Sequence, residues 1–172
     1  MVVRQILIIL TLSTIISLTL NLFLPNRIDY IGQYRMLSNG SDPIIPPSAQ
    51  KGDPPFIAID NAELEFKTDG SLFIDCREPE EFECGTIPGS INIPFEHLPD
   101  GDLEVYFDSV LNGVPENQPL ITYCSGEECD LSLHLARNLQ DFGYERISIF
   151  FGGWREWKNL GLPIERKKVC EE

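Results

Sequence analysis

Apolar residues run from position 6 to position 24 without a charge, ILIILTLSTIISLTLNLFL, and afterwards break into short runs separated by polar stretches. At about 1.5 Å rise per residue, a helix of that length nearly covers a hydrocarbon core of about 30 Å. Residues 6–24 are therefore predicted as one transmembrane helix in contact with a lipid bilayer, preceded by a short tail, residues 1–5. A cleaved signal peptide is the alternative. It calls for a shorter apolar core and small residues at the cut, where this chain has Leu22, Phe23, Leu24 and Pro25. Arg4 precedes the segment, and Arg27 and Arg35 follow it with Asp29 between them. The positive-inside rule then favours, by a narrow margin, a single-pass protein with its domain outside the cytoplasm, periplasmic or equivalent.

Residues 25–55 show no period and are rich in Pro, Ser and Gly from position 38 onward, which predicts a semi-extended tether. The folded unit is predicted over 56–165, with a charged C-terminal tail at 166–172. Within the unit, short apolar runs alternate with helical patterns. Strands are expected at 56–59, 71–75, 91–93, 120–123 and 147–150. Helices are expected from Asp60 or Asn61 to about Phe66, over 78–82, 103–111, 130–142 and 154–160. The helix at 130–142 carries Leu131, Leu135, Ala136 and Leu139 along one side and is closed by Gly143. Such alternation predicts an α/β fold with a mostly parallel sheet between helices, in which ligands bind where loops leave the carboxyl ends of strands.

Charge narrows the functions. The chain has a net charge of −14; residues 1–50 contribute +1 and residues 51–172 contribute −15. An acidic domain of this kind repels phosphate backbones, and nucleic acid is not expected as a partner. The five cysteines, Cys76, Cys84, Cys124, Cys129 and Cys170, form no zinc tetrad pattern, so no metal and no cofactor are expected.

One stretch carries chemistry. The apolar run 120–123 delivers Cys124 into a short polar loop, Ser125, Gly126, Glu127, Glu128, Cys129 and Asp130, and a helical pattern follows at once. Around it stand FIDCREPEEF at 73–82, GTIPGSINIP at 85–94, LQDFGY at 139–144 and FGGWREWKNLGLP at 151–163. In that order these segments resemble the rhodanese signature D-x-R-x-x-x-E-(F/Y)-x-x-G-H-I-P-G-A, the family's active-site strand and helix, and its C-terminal G-G-x-x-x-W-x-x-x-G-x-P. The resemblance covers about residues 56–165. It implies a three-layer α/β/α domain around a five-stranded parallel sheet, and a sulfurtransferase cysteine, Cys124, carrying sulfur as a persulfide. The partners it implies are a small sulfur donor, such as thiosulfate or a polysulfide, and a thiol acceptor or protein partner. Independently of the resemblance, backbone N–H groups curled before a helix N-terminus favour a thiolate, and Gly126 suits such a curl.

The sequence departs from the family pattern C-x-x-G-x-R-S-x-x-A-A-x-x-L at the loop. Counted from Cys124 to Leu139, the loop is two residues longer, and it holds Glu127, Glu128 and Asp130 in place of a basic residue. Carboxylates near Sγ raise a thiol's pKa and repel anionic donors. Asp130 also stands where a Cys-x5-Arg phosphatase loop needs arginine. Cys129 is a candidate resolving thiol, able to form an intraloop disulfide, or else a residue packed against the helix start. Asp75 and Arg77 match the D-x-R pair and are assigned a structural role. Thr86 replaces the family's histidine, and Cys76 and Cys84 read as ordinary small residues. Trp154 and Trp157 fit core packing of the last helix. Three functions stay open: sulfur transfer through Cys124, a catalytically silent interaction module, and a dithiol redox protein using Cys124 and Cys129.

Overall fold

A computed structural model describes the backbone of residues 2–23, 41–115 and 117–170, with side chains from residue 4 to residue 20 in the first stretch. The chain falls into two units, residues 1–35 and 36–172. Most of the predicted tether, residues 25–40, lies outside the described residues, as does Leu24 at the end of the predicted span.

In the first unit, Val2–Phe23 is one helix, α1. Its large aliphatic side chains from Ile6 to Leu20 are exposed. The hydroxyls of Thr11, Ser13 and Thr14 donate to carbonyls one turn back, at 2.7–3.0 Å. Among the described residues no helix is long and apolar enough to cross a membrane. The predicted transmembrane helix is thus met by a helix, and not by a span.

The second unit is an α/β domain. Four parallel strands, β1 (Leu72–Asp75), β2 (Ile91–Asn92), β3 (Leu120–Tyr123) and β4 (Ile147–Phe150), lie in the order β2-β1-β3-β4. The register pairs Asp75 with Tyr123 and Tyr123 with Phe150, so the carboxyl ends of the three longer strands lie level. The sheet was expected to have five strands. The first expected strand, 56–59, is reduced to a single bridge between Phe56 and Ile149, with Ile57 N donating to Ile149 O at 2.9 Å. Pro54 and Pro55 bring no N–H to a ladder, and the next helix already begins at Ile59, leaving too little chain to extend the pairing.

Helices cover both faces. Alternation along the strands sends Phe73, Ile121, Tyr123 and Phe150 to one side, where they pack with Ile59 and Ala62 of α2 (Ile59–Lys67) and Trp157 of α6 (Gly153–Asn159). Ile74, Leu120, Ile147 and Ile149 go to the other side, against Phe107 of α4 (Leu103–Val110) and Leu133, Leu135, Ala136 and Leu139 of α5 (Leu131–Asp141). Between β1 and β2 sits α3 (Pro79–Cys84), and a 3-10 turn, Phe95–His97, follows β2. Trp157 is fully buried, donates its indole N–H to Pro163 O at 2.8 Å and meets Phe66 edge-on at 5.3 Å. Trp154, half-buried, packs against the same cluster.

Both ends of the domain are fastened. The described part of the predicted tether, 41–55, lies along the domain: Arg137 on α5 donates to both carboxylate oxygens of Asp53 at 2.7 and 2.8 Å, and to Ser48 O at 3.1 Å. At the other end, Cys84 is disulfide-bonded to Cys170, which corrects the reading of Cys84 as an ordinary small residue. Lys167 N and Lys168 N both donate to Glu83 O, and Thr86 and Glu165 exchange a pair of 2.9 Å backbone bonds. The predicted tail at 166–172 is therefore a strap over the end of α3 as far as Cys170; residues 171 and 172 lie outside the described residues. A closed disulfide is possible there because the strap sets the two Cα atoms 5.5 Å apart.

Candidate active site

β3 is an inner strand, and Cys124 follows its last residue, 2 % exposed, at the level where all the strands deliver their loops. Cys76 follows β1 in the neighbouring position, with its N–H on Tyr123 O at 2.9 Å. Burial pushes the Cys76 thiol well up, and the Asp75 carboxylate adds to it, so Cys76 is an inert neighbour.

After Cys124 the chain turns sharply. Gly126 has a φ of +150°, and a Cβ placed there would come 3.2 Å from Nε of Arg155, whose side chain lies over the turn. Cys129 N then closes the turn on Gly126 O at 2.9 Å. From the opposite side the first turn of α6 is bolted to the loop: Trp154 N donates to Cys124 O at 2.8 Å and Arg155 N to Ser125 O at 3.0 Å. This approach depends on Gly153, at φ +59°, because a Cβ there would lie 2.2 Å from Cys124 O. The second glycine of the last motif thus serves the cysteine loop. A small cavity of about 310 Å³ opens beside the loop, lined by Ser125, Gly126, Glu128, Cys129 and Arg155.

Cys124 and Cys129 are joined in a disulfide, with their Cα atoms 6.2 Å apart, inside the range a disulfide spans without distortion. Cys124 is the buried end of the pair and Cys129 the half-buried end that borders the cavity. Of the three acidic residues expected around the thiol, Glu128 is exposed and borders the cavity, and Glu127 and Asp130 are half-buried. Asp130 leads into α5 without a side-chain capping bond.

Behind the loop lies a buried polar network. Arg77 grips Asp75 through Nε at 2.9 Å and Nη2 at 2.6 Å, and Nη2 also reaches Gly85 O at 2.7 Å. Both side chains are buried, and the Arg77 guanidinium is capped by the Trp154 ring at 4.8 Å. Burial alone would lower the Arg77 pKa, but the Asp75 carboxylate overrides it and holds the guanidinium charged. Thr86, where the family carries histidine, places its hydroxyl 3.1 Å from Asp75 and 2.7 Å from the Tyr123 hydroxyl. The Tyr123 hydroxyl in turn accepts from Ile87 N and reaches Ser90. Its pKa is driven far up, first by burial and then by Asp75, so it stays a neutral link. The pair Asp75 and Arg77 thereby ties the ends of β1 and β3 to the loop before β2 and to α6.

A model of the rhodanese-like domain matches residues 60–160. The chain belongs to that family. Among curated relatives, the rhodanese-like chain is 32 % identical over 110 residues to an HTH-type transcriptional regulator of Mycobacterium tuberculosis, covering 63 % of this chain and 44 % of that protein. It is 33 % identical over 111 residues to the mitochondrial thiosulfate sulfurtransferase RDL2 of Saccharomyces cerevisiae, covering 61 % of this chain and 72 % of the relative. It therefore spans less than half of the first of these and about three quarters of the second. The crystal structure of the BH2092 protein from Bacillus halodurans shares the fold, with a TM-score of 0.54 at 19 % identity over 66 % of this chain and 81 % of that one.

The structure gathers Ser125, Gly126, Glu128 and Cys129 around one cavity, links the buried Cys124 to Cys129, and keeps Asp75 and Arg77 in the buried network at the ends of β1 and β3. Neither histidine belongs to this group: His134 lies against the ring of Phe95, 5.7 Å away, and His97 meets Glu78 at 3.0 Å. Two participants went unread in the sequence. Arg155 supplies the cation that the loop lacks, from a family motif in which only the two tryptophans were given a role. Trp154 packs half-buried against the core around Trp157, as expected, and in addition covers Arg77. The signal for both was present: the last motif carries one arginine two residues after a Gly-Gly, a spacing that puts backbone close approach and charge on the same helix start.

Proposed function

We propose that this rhodanese-like chain is a sulfurtransferase that carries sulfane sulfur as a persulfide on Cys124. The observation that carries the reading is the position of Cys124, at the carboxyl end of an inner parallel strand, in a loop held by the first turn of α6 and bordered by Arg155. That several relatives are named sulfurtransferases supports it. In the reduced protein the Cys124 thiolate attacks the outer sulfur of a donor and breaks its S–S bond, releasing sulfite from thiosulfate or a polysulfide one sulfur shorter. A thiol acceptor then attacks the outer sulfur of the persulfide, takes it and releases the Cys124 thiolate. Arg155 offsets Glu128 at the cavity and favours an anionic donor, thiosulfate or an inorganic polysulfide. No metal or cofactor is needed for this chemistry, and nucleic acid is not a partner of so acidic a domain.

The same reading extends to place. The exposed aliphatic surface of α1 attaches the protein to a lipid bilayer, and two disulfides, Cys84–Cys170 and Cys124–Cys129, suit an extracytoplasmic compartment that permits them. Carbonate extraction of membranes, followed by labelling intact cells with a membrane-impermeant reductant and maleimide, tests both. Release by carbonate would remove the anchor, and protection of every cysteine would remove the topology.

The test of the activity is turnover. Reduced full-length protein is given thiosulfate or polysulfide with a dithiol acceptor, beside Cys124→Ser. Transfer by the wild type and none by the variant is expected; equal background rates for the two proteins would refute the proposal.

A further inference from the structure

Resting on that reading, we infer that Cys129 discharges the Cys124 persulfide within the loop, so that the protein releases hydrosulfide and closes the disulfide seen here. A persulfide on Cys124 presents two sulfurs to a nucleophile. Attack of the Cys129 thiolate on Sγ of Cys124 forms the Cys124–Cys129 bond, breaks the bond to the outer sulfur, and expels that sulfur with its electron pair as hydrosulfide. No oxidant enters, because the donor's sulfane sulfur is itself the electron acceptor. The geometry favours this outcome. The turn closed by Cys129 N on Gly126 O brings the two Cα atoms to 6.2 Å, within the span of a disulfide.

The pair is also polarised for reopening. Cys124 is 2 % exposed, whereas Cys129 is half-buried and faces the cavity with Ser125 and Arg155. An external thiolate therefore reaches Sγ of Cys129, forms a mixed disulfide there, and frees Cys124 as the leaving thiolate. A second thiol of the same reductant attacks its own mixed-disulfide sulfur and frees Cys129. The reductant is a dithiol that leaves as a disulfide, so two electrons enter per hydrosulfide released. The protein then works as a dithiol-driven persulfide reductase.

The experiment uses the full-length chain in detergent, reduced with a dithiol and desalted without oxygen. It is loaded with inorganic polysulfide, desalted again, and followed by intact mass, peptide mapping and hydrosulfide release, beside Cys129→Ser and Cys129→Ala. The wild type is expected to lose its added sulfur, release one equivalent of hydrosulfide, and end with Cys124 and Cys129 in one disulfide-linked peptide. Both variants are expected to hold the added sulfur on Cys124 at least about tenfold longer, because a thiol in the same loop acts at a high effective concentration. Wild type and variants that load and hold sulfur equally would overturn this inference and leave the sulfurtransferase reading standing. Variants that never load would overturn both.

Discussion

Gly153 lies so close to Cys124 that a single methyl group cannot be placed between them: its Cβ would stand 2.2 Å from the Cys124 carbonyl oxygen. The last helix of the domain and its reactive loop are thus one structure, joined by the bonds from Trp154 N and Arg155 N to the loop carbonyls. Gly153→Ala meets both this contact and a left-handed backbone at φ +59°. A strained residue of that kind costs about 1–3 kcal/mol before the contact is counted. We predict a loss of stability of at least that size in urea unfolding, together with loss of sulfur loading in the fraction that remains folded.

Asp75 and Arg77 form a buried pair, and breaking one side of such a pair leaves an uncompensated charge. Asp75→Asn is predicted to destabilise the domain by about 3–5 kcal/mol. Thr86→Val removes only the neutral link to Asp75 and Tyr123, and a smaller loss of about 1–3 kcal/mol is expected. Chemical denaturation of the two variants ranks them, and the reverse order would show that the hydroxyl network, not the ion pair, holds the strand ends.

Arg155 is exposed, so its charge acts through water. Arg155→Gln is predicted to slow loading by thiosulfate by roughly two- to fivefold at low ionic strength, in line with about 0.2–1 kcal/mol for an exposed ion pair. The difference should shrink as salt is raised toward molar concentration, where the screening length falls to about 3 Å. Rates measured across a salt series decide it.

Arg137 holds the Asp53 carboxyl below the ordinary carboxylate range, chiefly by direct hydrogen bonds. A lowered folded-state pKa means that the contact stabilises the fold above the ordinary value of about 4 and loses this effect as pH falls through the lowered one. Asp53→Asn should therefore be less stable than the wild type at neutral pH, by up to about 1 kcal/mol, and the two should converge as pH falls below the lowered value. Unfolding midpoints across that range, measured in parallel, give the comparison.

Much of this was legible in the sequence, for identifiable reasons. The runs LFID, LITY and ISIF are short, apolar and bounded by turn residues, so β1, β3 and β4 appear where the pattern puts them. The run at 56–59 has the same composition but follows two prolines and enters a helix at Ile59, and there tertiary pairing fell to one bridge. Cys124 and its loop could be read because a strand, a glycine and a helix follow one another in sequence. The Cys84–Cys170 disulfide could not: the partners are 86 residues apart, and only the strap along Glu83 brings them together. Arg155 escaped for a similar reason, since a motif near the C-terminus shows no sign that it packs on a loop thirty residues earlier until the contact at Gly153 is seen.

The persulfide itself is the central claim, and intact mass measures it directly. Reduced full-length Cys129→Ser, which cannot close the loop disulfide, is exposed to polysulfide and separately to thiosulfate, desalted and mapped by peptide. One added sulfur, located on Cys124 and removed by dithiothreitol, is the predicted result. Added sulfur found elsewhere, or none from either donor while Cys124 also resists iodoacetamide, would contradict it.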